Sequence, residues 1–119
     1  MVLIPTLSKI VQQVDHALSA VIFNLDGLTI ESVDGGGRKT TGTLDEDAYA
    51  SIFDQIIGAS ESLGLGPIEE ITVDGEGGTT LARRIGERYM VALQVGPEAV
   101  LGKARLALRT AAPDLARHL

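Results

Sequence analysis

Apolar residues recur along the chain with two different spacings, and these spacings predict its helices and strands. Two short runs, Ala20–Leu25 and Leu28–Val33, flank Asp26-Gly27, a pair that tolerates the positive φ angles of a two-residue turn, and they predict a β-hairpin. Before them, over about residues 5–17, apolar residues spaced three and four positions apart predict a helix with one buried side. That side comprises Leu7, Ile10, Val11, Val14 and Leu18.

A glycine-rich segment, Asp34–Gly42, separates the hairpin from a second predicted helix. The segment is too polar and too rich in glycine to hold regular structure, and we interpret it as a mobile surface loop. Thr43 stands three residues before Glu46, the spacing of a capping box, and Gly64 offers a left-handed stop after Leu63. The apolar stripe of this helix comprises Tyr49, Ile52, Phe53, Ile56, Ile57 and Leu63.

The second half of the chain contains strand-like runs and one further helix. Ile68–Val73, Thr79–Ile85 and Tyr89–Val95 alternate with glycine-containing turns, which predicts an antiparallel meander. Pro97-Glu98 suits the first turn of a last helix, which Pro113 is expected to bend or end. The inner side of that helix is predicted to hold Val100, Leu101, Ala104, Leu108, Ala111, Ala112 and Leu115.

The element order predicts the fold class. The order α-β-β-α-β-β-β-α indicates an α/β (α+β) protein with five strands in one antiparallel sheet. The second helix is expected on one face and the two terminal helices on the other, because this arrangement buries every apolar stripe. A chain of 119 residues fits one domain, and we expect residues 1–119 to form it.

Composition limits the core chemistry and the cellular location that the protein can have. The chain is 45% hydrophobic but only 3% aromatic, so its core must be built from Leu, Ile, Val and Ala. The absence of cysteine excludes disulfides and thiolate chemistry. No basic leader precedes an apolar stretch, and no run approaches the roughly 20 apolar residues of a membrane span. These features predict a cytoplasmic protein without membrane insertion.

Charge is unevenly distributed along the chain, whose net charge is −6. Residues 1–80 contain thirteen acidic and three basic residues, whereas residues 81–119 contain three acidic and seven basic residues. Phosphate backbones would be repelled by the first part and would meet only scattered cations in the second. We therefore expect no nucleic-acid partner.

No set of residues predicts catalysis. Gly96–Lys103 superficially resembles a phosphate-binding loop, but Pro97 removes one amide donor and Ala104 stands where a hydroxyl would bind magnesium. His16 and His118 have no partner at the spacing of metal ligands or of an acid–base pair. We predict no catalytic residue, no metal site and no cofactor, and hence a protein that is not an enzyme.

The second helix has charges of one sign only. No Lys or Arg lies between Thr43 and Leu63, so the helix forgoes opposite-charge pairs that contribute about 0.2–0.5 kcal/mol each. One hypothesis is that this acidic face binds a partner. The alternative is an ordinary solvated face in an acidic protein.

The third strand, Ile68–Val73, is predicted to lie at a sheet edge. Only Glu69 and Glu70 protect it, and unpaired edges are usually covered or blunted. Pairing with the same strand of a second chain would satisfy the edge. The alternative is that the two glutamates are themselves the blunting device.

Several stretches together resemble the roadblock/dynein light-chain family, and the resemblance covers nearly the whole chain. They are Ala20–Ser32, the helix end Leu63-Gly64, Ile68–Glu76 and Val95–Leu106. Within the family the chain is most similar to bacterial MglB/MglC-like members. The resemblance implies a longin/profilin-like roadblock fold and a dimer in which third strands pair and second helices lie side by side.

The resemblance also implies a function. Bacterial members regulate or scaffold Ras-like small GTPases in motility or polarity, including by stimulating GTP hydrolysis, and they do so without a catalytic site of their own. An adaptor that joins a roadblock-type partner to another polarity or transport protein, without binding a GTPase, is the alternative. Arg38 is the only mobile candidate for an arginine finger.

Two groups of residues are expected to make these contacts. The partner-binding residues on the second helix are Asp47, Ser51, Asp54 and Gln55. The interface of a homodimer is expected at Ile68, Ile71, Thr72 and Val73.

Overall fold

Apolar side chains alternate along the central strands and so cover both faces of one sheet. The structure, a computed structural model, describes residues 3–40 and 46–119. Its elements are α1 (Leu3–Gln13), β1 (Ala17–Asn24), β2 (Thr29–Asp34), α2 (Glu46–Ser62), β3 (Glu70–Gly75), β4 (Gly78–Ile85), β5 (Tyr89–Val95) and α3 (Leu101–Ala116). The predicted element order is confirmed.

The strands form one five-stranded sheet in the order β2-β1-β5-β4-β3. Every neighbouring pair is antiparallel. The strands β1, β5 and β4 are central, and β1 and β5 are accordingly mostly apolar, whereas β4 also contains two threonines and two arginines. The strands β2 and β3 lie at the two edges.

The core has one part on each face of the sheet. On one face α1 and α3 cover side chains such as Ile22, Leu81 and Leu93. On the other face α2 packs Phe53 against Phe23 and its neighbours. The predicted distribution of the helices over the two faces is confirmed, and each face of the sheet gives one helix layer its apolar surface.

The predicted end of the first helix is wrong. α1 ends at Gln13 rather than at residue 17, because His16 takes a left-handed φ of 68° and turns the chain into β1. The His16 carbonyl accepts a hydrogen bond of 2.9 Å from the Gly96 amide, which ties this turn to the end of β5. Leu18, predicted to close the helical stripe, therefore lies on β1 and is exposed.

The interpretation of Asp34–Gly42 as a loop without regular structure is wrong for residues 34–40. The Asp34 carboxylate accepts hydrogen bonds from the amides of Gly36 and Arg38, at 2.9 and 3.1 Å. Thr40 pairs with Ser32 by backbone and hydroxyl bonds, so the turn folds back along the outer edge of β2. Residues 41 and 42 and the capping residue Thr43 lie outside the described residues.

The last helix begins later than its sequence suggests. Pro97-Glu98 lies in a turn, and α3 starts at Leu101 with Val100 as its N-cap. Val100, predicted on the inner side, is exposed. Pro113 lies inside α3, which ends at Ala116. No helix among residues 3–40 and 46–119 is long and apolar enough to cross a membrane.

Candidate protein-docking surface

β3 presents an unpaired strand edge. It pairs with β4 from Glu70 to Gly75, and within the described part of the chain no other strand lies along its outer side. The prediction that this strand lies at a sheet edge is confirmed. Such an edge offers backbone donors and acceptors to any further strand that aligns with it.

The residues expected at a dimer interface differ in exposure along this segment. Ile71 is buried under α2, and Ile68, just before the strand, is half-buried. Thr72 and Val73 are exposed. Because side chains alternate along a strand, Val73 lies on the same sheet face as Ile71 and therefore beside α2.

An ion-pair cluster holds β3 against the opposite helix layer. The Glu70 carboxylate accepts a 2.7 Å hydrogen bond from Arg105 Nε on α3. Its other oxygen lies 3.7 Å from Arg83 Nη1 on β4. Only 18% of the Glu70 side chain is exposed, so both attractions act at a partly desolvated site. The cluster fixes the start of the edge strand.

The inner side of α2 is fixed to the sheet by its aromatic residues. The Phe53 ring is fully buried and lies 6.2 Å from the ring of Phe23, and the Tyr49 ring lies 5.5 Å from that of Phe53. The Tyr49 hydroxyl is hydrogen-bonded to the Thr80 hydroxyl at 3.0 Å. Thr80 is the register partner of Val73, so the first half of α2 lies close to the open edge.

The sequence predicted one apolar stripe on α2, but only part of it is buried. Tyr49 and Phe53 face the sheet and Ile57 is half-buried. Ile52 is 49% exposed, Ile56 37%, and Leu63, just after the end of α2, 72%. The exposed residues follow one another at helical spacing and form a second apolar stripe. Period alone could not separate the two stripes because they are adjacent on the helix surface.

The predicted partner-binding residues lie on a third side of α2. Ser51, Asp54 and Gln55 are exposed, and Gln55, three residues after Ile52, borders the apolar stripe. Asp47 lies in the first turn of α2, and its side chain is outside the described part of the structure. The structure therefore brings three of the four residues to one polar surface.

The end of α2 is closed by the expected left-handed glycine. Gly64 has φ 71° and Gly66 has φ 74°, and the buried Ser60 hydroxyl donates to the Ile57 carbonyl at 2.7 Å. Beyond this point α2, the 66–69 segment and the β4–β5 turn surround a cleft of about 700 Å³. No pattern in the sequence indicated this cleft, because its walls come from three separate segments.

Within residues 3–40 and 46–119, no group of three or more His, Asp or Glu side chains is arranged to hold a metal ion. Within the same residues, the α2 side combines an open strand edge, an exposed apolar stripe and a polar strip, features that are typical of protein-binding surfaces.

Comparison with solved structures gives matches over nearly the whole of this chain. MglC from Myxococcus xanthus superposes with a TM-score of 0.72 and 27% sequence identity, over 100% of both chains. The gliding protein MglB from Thermus thermophilus superposes with a TM-score of 0.84 and 21% identity, over 96% of this chain and 85% of that one. A structure of MglB in a tetrameric arrangement gives a TM-score of 0.84 at 22% identity.

A Roadblock/LC7 domain from Streptomyces avermitilis matches with a TM-score of 0.75 and 19% identity, over 95% of this chain and 93% of that one. No protein-family model and no curated relative matches the chain. The solved structures show that the five-stranded sheet and its three helices form the roadblock, longin-like fold predicted from the element order.

Proposed function

We propose that this chain, which has the fold of MglC, MglB and a Roadblock/LC7 domain, is a dimeric, cytoplasmic protein-binding module that regulates or scaffolds a Ras-like small GTPase in bacterial motility or polarity. The observation that supports this most strongly is the open edge of β3 beside the exposed apolar stripe of α2. Both features leave backbone and apolar groups without partners among the described residues of one chain.

A second copy satisfies both features at once. Antiparallel pairing of two β3 strands extends the sheet across both chains and brings the two α2 helices side by side. Ile52, Ile56 and Leu63 then pack between the helices, and complete burial of such a side chain contributes about 1.5–3 kcal/mol. Thr72 and Val73 lie at the junction of the two β3 strands, and this junction together with the packed apolar stripes is here called the seam.

Dimerisation is tested by placing charge in that seam. Val73→Lys and Ile56→Lys should each yield monomers in sedimentation velocity, because a lysine forced into an apolar interface raises the dissociation constant by about 100-fold or more. Leu28→Lys is the matched control, since Leu28 is also an exposed apolar residue but lies in the β1–β2 turn. A wild-type protein that stays monomeric at high concentration would refute the dimer.

The GTPase is proposed to dock on the polar strip of α2. In the dimer, Ser51, Asp54 and Gln55 of both chains form one polar surface that carries two Asp54 carboxylates. Such a platform regulates a GTPase by binding one conformation of its switch loops more tightly than the other, and this requires no catalytic group. Arg38 is a poor arginine finger because its backbone is fixed in the 34–40 turn, along the β2 edge.

Docking is tested by adding the cognate GTPase to the purified dimer. Asp54→Lys should weaken binding about tenfold or more, whereas Asp114→Lys, which makes the same charge change on α3, should not. Binding that depends on the bound nucleotide, together with faster hydrolysis, identifies a regulator. Binding without faster hydrolysis identifies a scaffold, and no binding rejects both.

A second candidate is an adaptor that joins a roadblock-type partner to another polarity or transport protein. The geometry of the seam favours it to the same degree, because backbone hydrogen bonds and an apolar stripe also accept a related but different subunit. Mixing the protein with MglB-type subunits and measuring subunit exchange by native mass spectrometry distinguishes the two. Heterodimers that do not bind the GTPase would support the adaptor.

A further inference from the structure

The outer side of α3 is basic. Between Ala99 and Pro113 the chain contains three basic residues and no acidic one. Arg105 is engaged by Glu70. Lys103 and Arg109 are exposed, and among the described residues neither forms an ion pair. Two cations therefore remain available to a ligand on this helix.

An exposed leucine lies between these two cations. Leu106 is 64% exposed and follows Lys103 by three residues and precedes Arg109 by three, so the three side chains are neighbours on the helix surface. The surface is therefore an exposed apolar side chain with a cation one helical turn away on either side.

We propose that this surface, made of Lys103, Leu106 and Arg109 and here called the α3 surface, docks an acidic amphipathic helical segment of a partner protein. The segment supplies one apolar side chain that covers Leu106 and carboxylates that pair with the two cations. Charge complementarity guides the encounter, and the apolar contact with Leu106 adds stability.

Two other occupants fit the surface less well. A second copy would have to offer its acidic α2 strip, but Ser51, Asp54 and Gln55 supply no apolar side chain to cover Leu106. An anionic membrane requires a broad apolar face, whereas Leu106 is the one large apolar residue of α3 with high exposure among those described.

The α3 surface is separate from the proposed dimer and GTPase surfaces. α3 covers the sheet face opposite to α2, so an acidic segment and a GTPase can be bound at the same time. The proposal does not depend on the GTPase, and each can fail alone.

The test uses a fluorescent synthetic helix with a leucine stripe flanked by glutamates, titrated against the full chain in fluorescence anisotropy. Arg109→Glu and Leu106→Gln should each weaken its binding about fivefold to tenfold, and the double variant more. Arg38→Glu, an equal charge reversal on the exposed 34–40 turn, should leave affinity unchanged. Circular dichroism melts check that each variant is folded.

Two further peptides test the chemistry of the bound segment, and two further measurements test a membrane or a second copy as the occupant. A peptide with lysine in place of glutamate should not bind, and one with glutamine in place of leucine should bind several-fold more weakly. Equal binding by all variants, or none by wild type, overturns the proposal. The proposal is also overturned if the protein cosediments with phosphatidylserine vesicles in an Arg109-dependent manner and does not bind the peptide. It is likewise overturned if the protein forms an assembly larger than a dimer that Arg109→Glu dissociates.

Discussion

Glu70 illustrates how one side chain can set the position of an edge strand. Its carboxylate joins β3 to Arg83 on the neighbouring strand and to Arg105 on α3. Removing the charge leaves two guanidinium groups at a partly buried site without their partner, and loss of a charged hydrogen bond of this kind costs more than loss of a surface pair.

We therefore expect Glu70→Gln to lower the free energy of unfolding by about 1–3 kcal/mol, measured by urea denaturation. Asp26→Asn is the matched control, since Asp26 pairs with Arg88 at 2.8 Å but both side chains are largely exposed. That change should alter stability by less than about 0.5 kcal/mol. Equal effects of the two variants would show that burial of the Glu70 cluster is unimportant.

Gly78 is a residue at which the backbone itself restricts the sequence. It has φ 149°, and a Cβ atom there would lie 2.6 Å from the Val95 carbonyl oxygen. Gly78→Ala should lower the unfolding free energy by about 2 kcal/mol or more. Gly77→Ala should have little effect in the same urea titration, because a Cβ at Gly77 meets nothing within 4 Å.

At the scale of elements, α2 has two apolar sides with different roles. Phe53 is fully buried against the sheet, whereas Ile52 next to it is about half exposed. Phe53→Ala should destabilise the chain by about 3–5 kcal/mol through the cavity it leaves. Ile52→Ala should cost less than about 0.5 kcal/mol in the fold of the single chain.

Both measurements belong in the Val73→Lys background, where dimerisation does not contribute to stability. In the wild-type background Ile52→Ala should instead raise the dimer dissociation constant, as measured by sedimentation equilibrium. If Ile52→Ala destabilised the monomeric variant as much as Phe53→Ala, the exposed stripe would have to be part of the fold and not of an interface.

At the scale of the whole molecule, the two edges of the sheet are treated differently. The β2 edge is covered by its own chain, because Lys39 forms a bridge with Val33 and the Thr40 amide donates to the Ser32 carbonyl. The β3 edge is open within the described residues. One closed and one open edge favour a symmetric pair of chains over an extended fibre.

Such a pair makes stability depend on protein concentration. Raising the concentration 100-fold should stabilise the folded dimer by about 2.7 kcal/mol, seen as a higher urea midpoint. Val73→Lys should show one midpoint at both concentrations. A wild-type midpoint that does not move would contradict self-association through this edge.

The sequence alone determined the elements, their order and the distribution of helices over the two faces. It could do so because the periods of two and of about 3.6 residues are local and strong in this chain. It also identified β3 as an edge and located Gly64 at the end of α2. The end of α1 and the start of α3 were predicted poorly, because the turn at His16 and the turn that begins at Gly96 are joined by a backbone hydrogen bond between distant segments.

Only the tertiary structure decided which apolar residues are buried and which are available to a partner. Ile52, Ile56 and Leu63 belong to the same helical pattern as Phe53, and only the position of the sheet separates the two groups. The Glu70–Arg105 pair and the 34–40 turn against β2 join residues that are far apart in sequence or glycine-rich. Periodicity reports local geometry, whereas exposure and charge pairing arise when distant segments meet.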